Sequence, residues 1–299
     1  MKYLLMYNPV SGKAKFHQKL ELIKTFFNEH HLELDIYESK RPRDLEQVAF
    51  ERAKMYDVFL VAGGDGTINE VVNGMMKSNI RPKLGVLPTG TANDIAAIFG
   101  MSKNIRKALK RIIELEPVKI DVNQVNDTYF IYTTSCGMLS KISYDVSRRR
   151  IRKYGYLAYV FAGMRDLIVD YNFPLKIYYN NTLLETDAMM VLGLSTNRVG
   201  GIRLFNFSKN KLNDGLFELR IFTRVRLFRR LRILSSFIRG GIKLKEDYHL
   251  ASGHFKIETN PDVMWNADGE SATKGNVVIQ THQEALNVFM TSKNRKKYL

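Results

Sequence analysis

Three short stretches of this chain place small, hydrogen-bonding residues where an apolar run ends and a helical pattern begins. In the richest, Val58 to Ala62 leads into Gly63-Gly64-Asp65-Gly66-Thr67-Ile68-Asn69-Glu70. Glycine lets backbone approach a phosphate closely, and a helix start points N–H groups outward. An aspartate there would repel a bare phosphate, which points to a divalent cation between the two. The same residues are ordinary strand-to-helix turn chemistry, and this stretch alone does not separate the readings. Near the start, Tyr3 to Met6 leads into Tyr7-Asn8-Pro9-Val10-Ser11-Gly12, and Lys83 to Leu87 leads into Pro88-Thr89-Gly90-Thr91-Ala92-Asn93-Asp94. In an open parallel sheet such turns gather at the carboxyl edge of the strands, where ligands bind. Three polar turns meeting there suit phosphoryl transfer, which needs a positioned nucleotide, neutralised charge and an activated acceptor.

Candidate acid–base residues lie far along the chain, in Asn266-Ala267-Asp268-Gly269-Glu270. Spaced by two, Asp268 and Glu270 share a face of an extended strand and can still converge in a turn. One carboxylate near a cation and one left to accept a hydroxyl proton is a workable division of labour. Asp-Gly is also a strong hairpin signal, and local sequence favours the hairpin. Asp94 reads equally as a helix-start carboxylate beside Asn93. Lys211-Leu212-Asn213-Asp214-Gly215-Leu216 reads first as a turn. The 6 histidines are scattered, without metal-ligand spacing or a serine or cysteine partner. No glycine loop ends in Gly-Lys-Ser/Thr and no protein-kinase signature set is present.

The elements that must hold these residues change character along the chain. Short strands are predicted near 2–7, 33–38, 57–62 and 83–87, with helical segments between them, including Lys15 to His30 and Ile105 to Leu115. That alternation implies a parallel sheet covered by helices. From Pro117 onward apolar and polar residues alternate, in Val118 to Val122, Tyr129 to Thr134, Leu175 to Tyr179 and Phe217 to Ile221. These predict antiparallel strands of a second, β-rich domain. The expected division is 1–122 and 123–284, with helical interruptions near 154–171 and 225–240.

The 299 residues suffice for two domains with real cores, and 45% hydrophobic with 25% charged residues is ordinary globular composition. One cysteine, Cys136, excludes an internal disulfide and reads as a buried structural thiol. The first residues read directly into a strand with no signal-peptide pattern, and no apolar run is long enough to span a membrane, so a cytoplasmic location is expected. The unusual bulk property is a net charge of +16, which favours an acidic partner. It concentrates in Arg148-Arg149-Arg150-Ile151-Arg152-Lys153 and in Arg224, Arg226, Arg229, Arg230, Arg232 and Arg239. The second cluster alternates at helical spacing with Leu227, Leu231, Leu234 and Ile238. It reads either as a solvated surface helix or as a surface for anionic lipid headgroups.

Asn8-Pro9-Val10-Ser11-Gly12, the Gly63 to Glu70 turn, Pro88 to Asp94 and Asp268-Gly269-Glu270 together resemble the diacylglycerol kinase catalytic domain, shared by bacterial soluble lipid kinases and by sphingosine and ceramide kinases. Gly-Gly-Asp-Gly alone would also fit NAD kinases and phosphofructokinases; Asn69-Glu70 and Gly-Thr-Ala-Asn-Asp favour the lipid kinases. The resemblance implies a Rossmann-like, phosphofructokinase-like N-terminal α/β domain, onto which residues 285–299 pack back, and a β-sandwich-like C-terminal domain. It implies ATP as co-substrate, contacted by Asn8, Pro9, Val10, Ser11, Gly12, Ser39, Gly64, Asp65, Gly66, Thr67, Ile68, Asn69, Glu70 and Thr91. Ser39 reads equally as a helix cap before Pro42. Magnesium is expected with Asp65, Asp94 and Asp268, and Glu270 is implied as general base. A second, structural magnesium is implied at the Asp214 carboxylate and the carbonyls of Lys211 and Leu216.

The resulting expectation is a lipid kinase at the inner membrane surface, with diacylglycerol as acceptor, anionic phospholipid as partner, a homodimeric state and no nucleic acid. Two other readings remain open from the residues: a kinase of another acceptor (phosphatidylglycerol, a sphingoid lipid or NAD), and a non-catalytic basic protein binding membrane or nucleic acid. No RNA-binding aromatic signature accompanies the charge.

Overall fold

The computed structural model describes residues 1–9, 16–138, 140, 169–207, 211–245 and 247–299. The chain divides into two compact units. The first comprises 1–122, 212–214 and 283–299; the second comprises 123–211 and 215–282.

The first unit is a parallel sheet with helical crossovers. Its strands β1 (Lys2–Tyr7), β2 (Glu33–Glu38), β3 (Val58–Gly63) and β4 (Lys83–Pro88) alternate with α1 (His17–Glu29), α2 (Asp44–Arg52), α3 (Asp65–Lys77), α4 (Asp94–Phe99) and α5 (Ile105–Glu114). β1 pairs in parallel with β2 and β3, and β3 with β4. Every residue of β3 is buried, as a strand covered on both faces requires. α5 starts where Asn104 Oδ1 accepts the Lys107 N–H at 3.0 Å, and it buries Ile105, Ala108, Leu109 and Ile112. β4 gains a further parallel neighbour from the end of the chain, where Val288 pairs with Leu84. The last helix, α7 (Ser292–Tyr298), follows, and Asn294 Nδ2 donates to the carbonyls of Ala97 and Ile98 at 2.9 and 2.7 Å. The Ala97 carbonyl also accepts the Gly100 N–H at 3.3 Å, so the amide adds to the backbone cap at the end of α4.

The second unit is antiparallel. β7 (Thr133–Gly137) lies between β15 (Met264–Ala267) and β9 (Thr182–Leu194). β9 continues to β8 (Phe173–Tyr179), β14 (His254–Glu258) and β17 (Val277–Phe289), whose residues from Gln283 onward belong to the first unit. β12 (Phe217–Thr223) pairs with β9 and with β13 (Asp247–Ser252). One core gathers Trp265, Phe130, Phe217, Phe255 and Cys136. Burial pushes the Cys136 thiol well up, as expected of a structural cysteine. A second core gathers Met138, Met189, Met190, Leu192, Leu194, Phe207, Phe222 and Ile233. This parallel α/β part and antiparallel strand-rich part are the fold class expected from the sequence.

The strand expected over 129–134 is broken. β6 (Thr128–Phe130) stops, and β7 begins only at Thr133. The N–H groups of Ile131, Tyr132 and Thr133 donate to the Asp268 carboxylate, which diverts them from a ladder. The basic run 148–153 and most of the helical segment expected near 154–171 lie outside the described residues. The second basic segment forms α6 (Leu227–Ile238). Its Arg230 is buried and ion-paired with Asp170, while Leu231 and Ile238 face outward.

Arg220 is fully buried between β12, β13 and the end of α6. A charge is tolerated there only if paired and hydrogen-bonded. Its guanidinium pairs with Asp247 at 2.5 Å, donates to the carbonyls of Gly241 and Ile242 at 2.8 and 2.6 Å, and lies 4.7 Å from the centre of the Phe222 ring. His249 stands opposite it across the β12–β13 ladder. Burial, with Arg220 and Lys243 nearby, pushes His249 down to about 4. Between about 6.5 and about 4 the unfolded chain therefore binds the proton that the folded chain refuses, so stability falls as pH is lowered through that window. The expected result is a shallower acid-side loss of Tm in His249→Phe than in wild type, measured by thermal unfolding across pH.

Candidate functional site

β1, β3 and β4 are adjacent and parallel, so Tyr7, Gly63 and Pro88 end in one row. The turns that follow β3 and β4 are in backbone contact. The N–H groups of Thr89 and Gly90 both donate to the Gly63 carbonyl, at 3.1 and 3.2 Å. A Cβ on Gly90 would stand 2.4 Å from the Gly64 Cα, so glycine is required for the close approach. Asn93, at φ +54°, locks the second turn: its Oδ1 accepts the Gly90 N–H at 2.9 Å and its Nδ2 donates to the Gly90 carbonyl at 2.7 Å. Gly90→Ala is expected to destabilise the first unit by about 1–3 kcal/mol, measured by urea unfolding.

Asp65 is the first residue of α3, and Gly64 before it supplies no side-chain cap. The Asp65 carboxylate reaches across to α4, where Oδ2 accepts the Asp94 N–H at 3.1 Å and Oδ1 the Ile95 N–H at 2.9 Å. One carboxylate thus joins the starts of both helices. Asp94 is fully buried at the start of α4. Thr67 and Asn69 are buried, and Thr91 is exposed. Ile68 has its side chain in the core and its N–H on the Gly64 carbonyl, and Asn69 Oδ1 accepts from Asn73. Those two face into the unit. Glu70 is half-buried, as are Asn8 and Pro9 beyond β1; Val10, Ser11 and Gly12 lie outside the described residues.

Ser39 follows β2, with its N–H on the Tyr7 carbonyl at 2.9 Å and its hydroxyl donating to the Arg41 carbonyl at 3.1 Å. It does not cap α2, which begins after Arg43. Asp44 organises that corner instead, accepting from the Lys40 N–H and the Tyr37 hydroxyl. Beside it the Tyr7 hydroxyl donates to Glu38 at 2.5 Å, and burial together with that carboxylate pushes Tyr7 up to about 12.

In the second unit Asp268 and Glu270 are held in opposite ways. Asp268 is buried, with Oδ2 accepting the Ile131 N–H at 2.7 Å and Oδ1 accepting those of Tyr132 and Thr133 at 2.9 and 3.1 Å. Asp268 and Gly269 both adopt positive φ, +48° and +88°, and β16 (Glu270–Lys274) starts at once with Glu270 exposed. The hairpin signal and the acid–base reading are therefore compatible: the turn is what presents Glu270. Asn266 supports it from β15, donating to the Ser135 hydroxyl and the Ser140 carbonyl at 2.7 and 2.8 Å.

Residues 212–214 belong to the first unit, whereas Lys211 and Leu216 belong to the second. The Leu212 carbonyl accepts the Asp121 N–H, and the Asp121 carboxylate accepts the Glu284 N–H at 2.7 Å. Among the described residues no group of three or more His, Cys, Asp or Glu side chains gathers as a metal cage. Magnesium needs none, since it binds through one or two carboxylates, water and substrate phosphates. The sequence reading missed the locking role of Asn93, the Asp44 corner and the N–H trio of 131–133. Gly-x-x-Asn spacing could have signalled the first; nothing local signals the last.

Residues 2–125 match the diacylglycerol kinase catalytic domain. The chain is 34% identical to the diacylglycerol kinase of Bacillus subtilis strain 168, over 89% of this chain and 88% of that protein. It is 32% identical to the diacylglycerol kinase of Staphylococcus haemolyticus, over 90% and 82%. A solved structure from Bacillus anthracis strain Sterne, assigned as a diacylglycerol kinase, superposes with a TM-score of 0.83 at 26% identity and 98% coverage of each chain. Fold, turns and relatives together define an ATP-dependent lipid kinase. The chain belongs to the diacylglycerol kinase family.

Proposed function

We propose that this enzyme transfers the γ-phosphoryl group of ATP to the free hydroxyl of diacylglycerol, giving phosphatidic acid and ADP. The observation that carries the reading is the contrast between Asp268, saturated by backbone N–H groups, and Glu270, exposed one glycine later. Glu270 takes the proton as the lipid oxygen forms its bond to the γ-phosphorus and the bond to the β-phosphate oxygen breaks. Asp268 fixes the turn from which Glu270 acts. The Gly64 and Gly90 turns, with Asn8 and Ser39, seat the nucleotide. Asp65 would hold magnesium together with the phosphates, and Asp214 with the carbonyls of Lys211 and Leu216 would hold a second, structural ion. When bound, the metal neutralises phosphate charge.

No helix among the described residues is long and apolar enough to cross a membrane. The enzyme reaches its lipid by peripheral attachment to the cytoplasmic membrane face, favoured by anionic phospholipid, and works as a homodimer without nucleic acid. The test is labelled ATP with purified protein and a panel of diacylglycerol, phosphatidylglycerol, sphingoid base and NAD, the products separated by chromatography. Labelled phosphatidic acid is expected; labelled NADP formed without any lipid would overturn the reading.

A further inference from the structure

The outward face of α6 carries the wrong chemistry for water. Leu231 and Ile238, two turns apart on one side of the helix, are 58% and 78% exposed. Phe205 is 66% exposed and stands at the end of the same helix, where a Cβ on Gly240 would come within 3.0 Å of its ring. The Asn206 N–H donates to the Gly240 carbonyl at 2.8 Å and ties that loop to the helix end. The inward face is Arg230, Ile233 and Ser236, all buried. An apolar stripe that spacing alone would turn inward therefore faces out, while an arginine goes in. The side chains of Leu227, Arg229 and Leu234 lie outside the described residues.

Basic groups border the stripe. Arg232 and Arg239, also two turns apart, are exposed, as are Arg203, Lys243 and Lys245. From Arg224 to Lys245 the chain has 6 arginines, 2 lysines and no acidic residue. A nucleic acid would match the charge but leave three large apolar side chains against phosphate and water. A second copy seated symmetrically on this face would set the same arginines against themselves. A bilayer with anionic lipids satisfies both halves: apolar side chains enter the headgroup–acyl boundary and guanidinium groups meet phosphates.

We infer that α6 and Phe205 form a bilayer-insertion surface, in which Leu231, Ile238 and Phe205 enter the lipid and Arg232, Arg239 and Arg203 hold its anionic headgroups. The inference rests on the lipid-kinase reading for its purpose and deepens it from electrostatic attraction to insertion.

The test uses the full chain and phosphatidylcholine vesicles with and without phosphatidylglycerol. Wild type should sediment with the anionic vesicles. The variant F205S/L231S/I238S should bind on the order of 100-fold more weakly, and R232Q/R239Q about tenfold more weakly with a reduced salt dependence. Ile238→Trp should shift to the blue on adding vesicles and be quenched by brominated acyl chains, against a constant signal from the buried Trp265. Turnover of water-dispersed short-chain diacylglycerol should stay unchanged in the serine variant, with only vesicle-borne turnover falling. Wild-type binding by the serine variant, an Ile238→Trp emission indifferent to vesicles, or conversion of a wild-type dimer to monomers by the serine changes would overturn insertion. Vesicle binding as described with no transfer to any diacylglycerol would instead sink the kinase reading and leave insertion standing.

Discussion

Glu270→Gln is expected to lower kcat by about 10²–10⁴-fold, the usual worth of a positioned general base. Its KM for ATP should stay within about twofold, because in the proposed mechanism other residues seat the nucleotide and Glu270 only accepts the proton. Glu270 is exposed at the first position of β16, so glutamine there should leave stability within about 0.5 kcal/mol of wild type. Steady-state kinetics on diacylglycerol dispersed in detergent, beside thermal unfolding of the same preparations, measures both. Full activity in folded Glu270→Gln would remove the residue from the mechanism.

Asp268→Ala should behave in the opposite proportion. The carboxylate is buried and accepts from the N–H groups of Ile131, Tyr132 and Thr133. Alanine would leave three buried donors without their acceptor, at a cost of about 3 kcal/mol or more. For a unit of this size that loss corresponds to a fall in Tm on the order of 10 °C. Activity should fall as well, because the positive-φ turn carrying Glu270 loses its anchor. Asp268→Asn should recover part of the stability, since its carbonyl oxygen can still accept from Tyr132 and Thr133 while its amide faces the Ile131 N–H. A ranking of wild type, Asp268→Asn, Asp268→Ala in Tm, with Glu270→Gln level with wild type, separates the two carboxylates by role.

Much of this architecture was legible in the residues. β3 is a continuous apolar run ending in glycine, and such a run between helical patterns has few other places to go. The hairpin at Asp268-Gly269 was equally plain. The failures share one cause: they depend on contacts between residues far apart in sequence. The run 129–134 looks like an unbroken strand because nothing local says that Asp268 will take its amides. Residues 285–299, implied to pack back on the first domain, begin inside one long strand that runs from Val277 to Phe289, and nothing local marks that continuity. The leucine spacing of α6 describes a helix correctly but not which side is buried. The buried side carries Arg230, which pairs with Asp170 and donates to the Val169 carbonyl. Within the candidate site, the types at Asp65 and Glu270 were readable, while the bond from Asp65 to the start of α4 was not.

The parallel neighbour that the last strand gives to β4 also bears on how the protein is made. Val288 pairs with Leu84, and Asn294 closes the end of α4, so both wait for residues that are made after the second unit. During synthesis the edge of β4 stands open while the whole second unit emerges, and open apolar edges invite wrong pairing. The unit that begins the chain is thus finished after the one that follows it. Removing residues 283–299 should leave a full-length second unit beside a first unit that aggregates on expression, and supplying that segment in the same cell is the natural rescue.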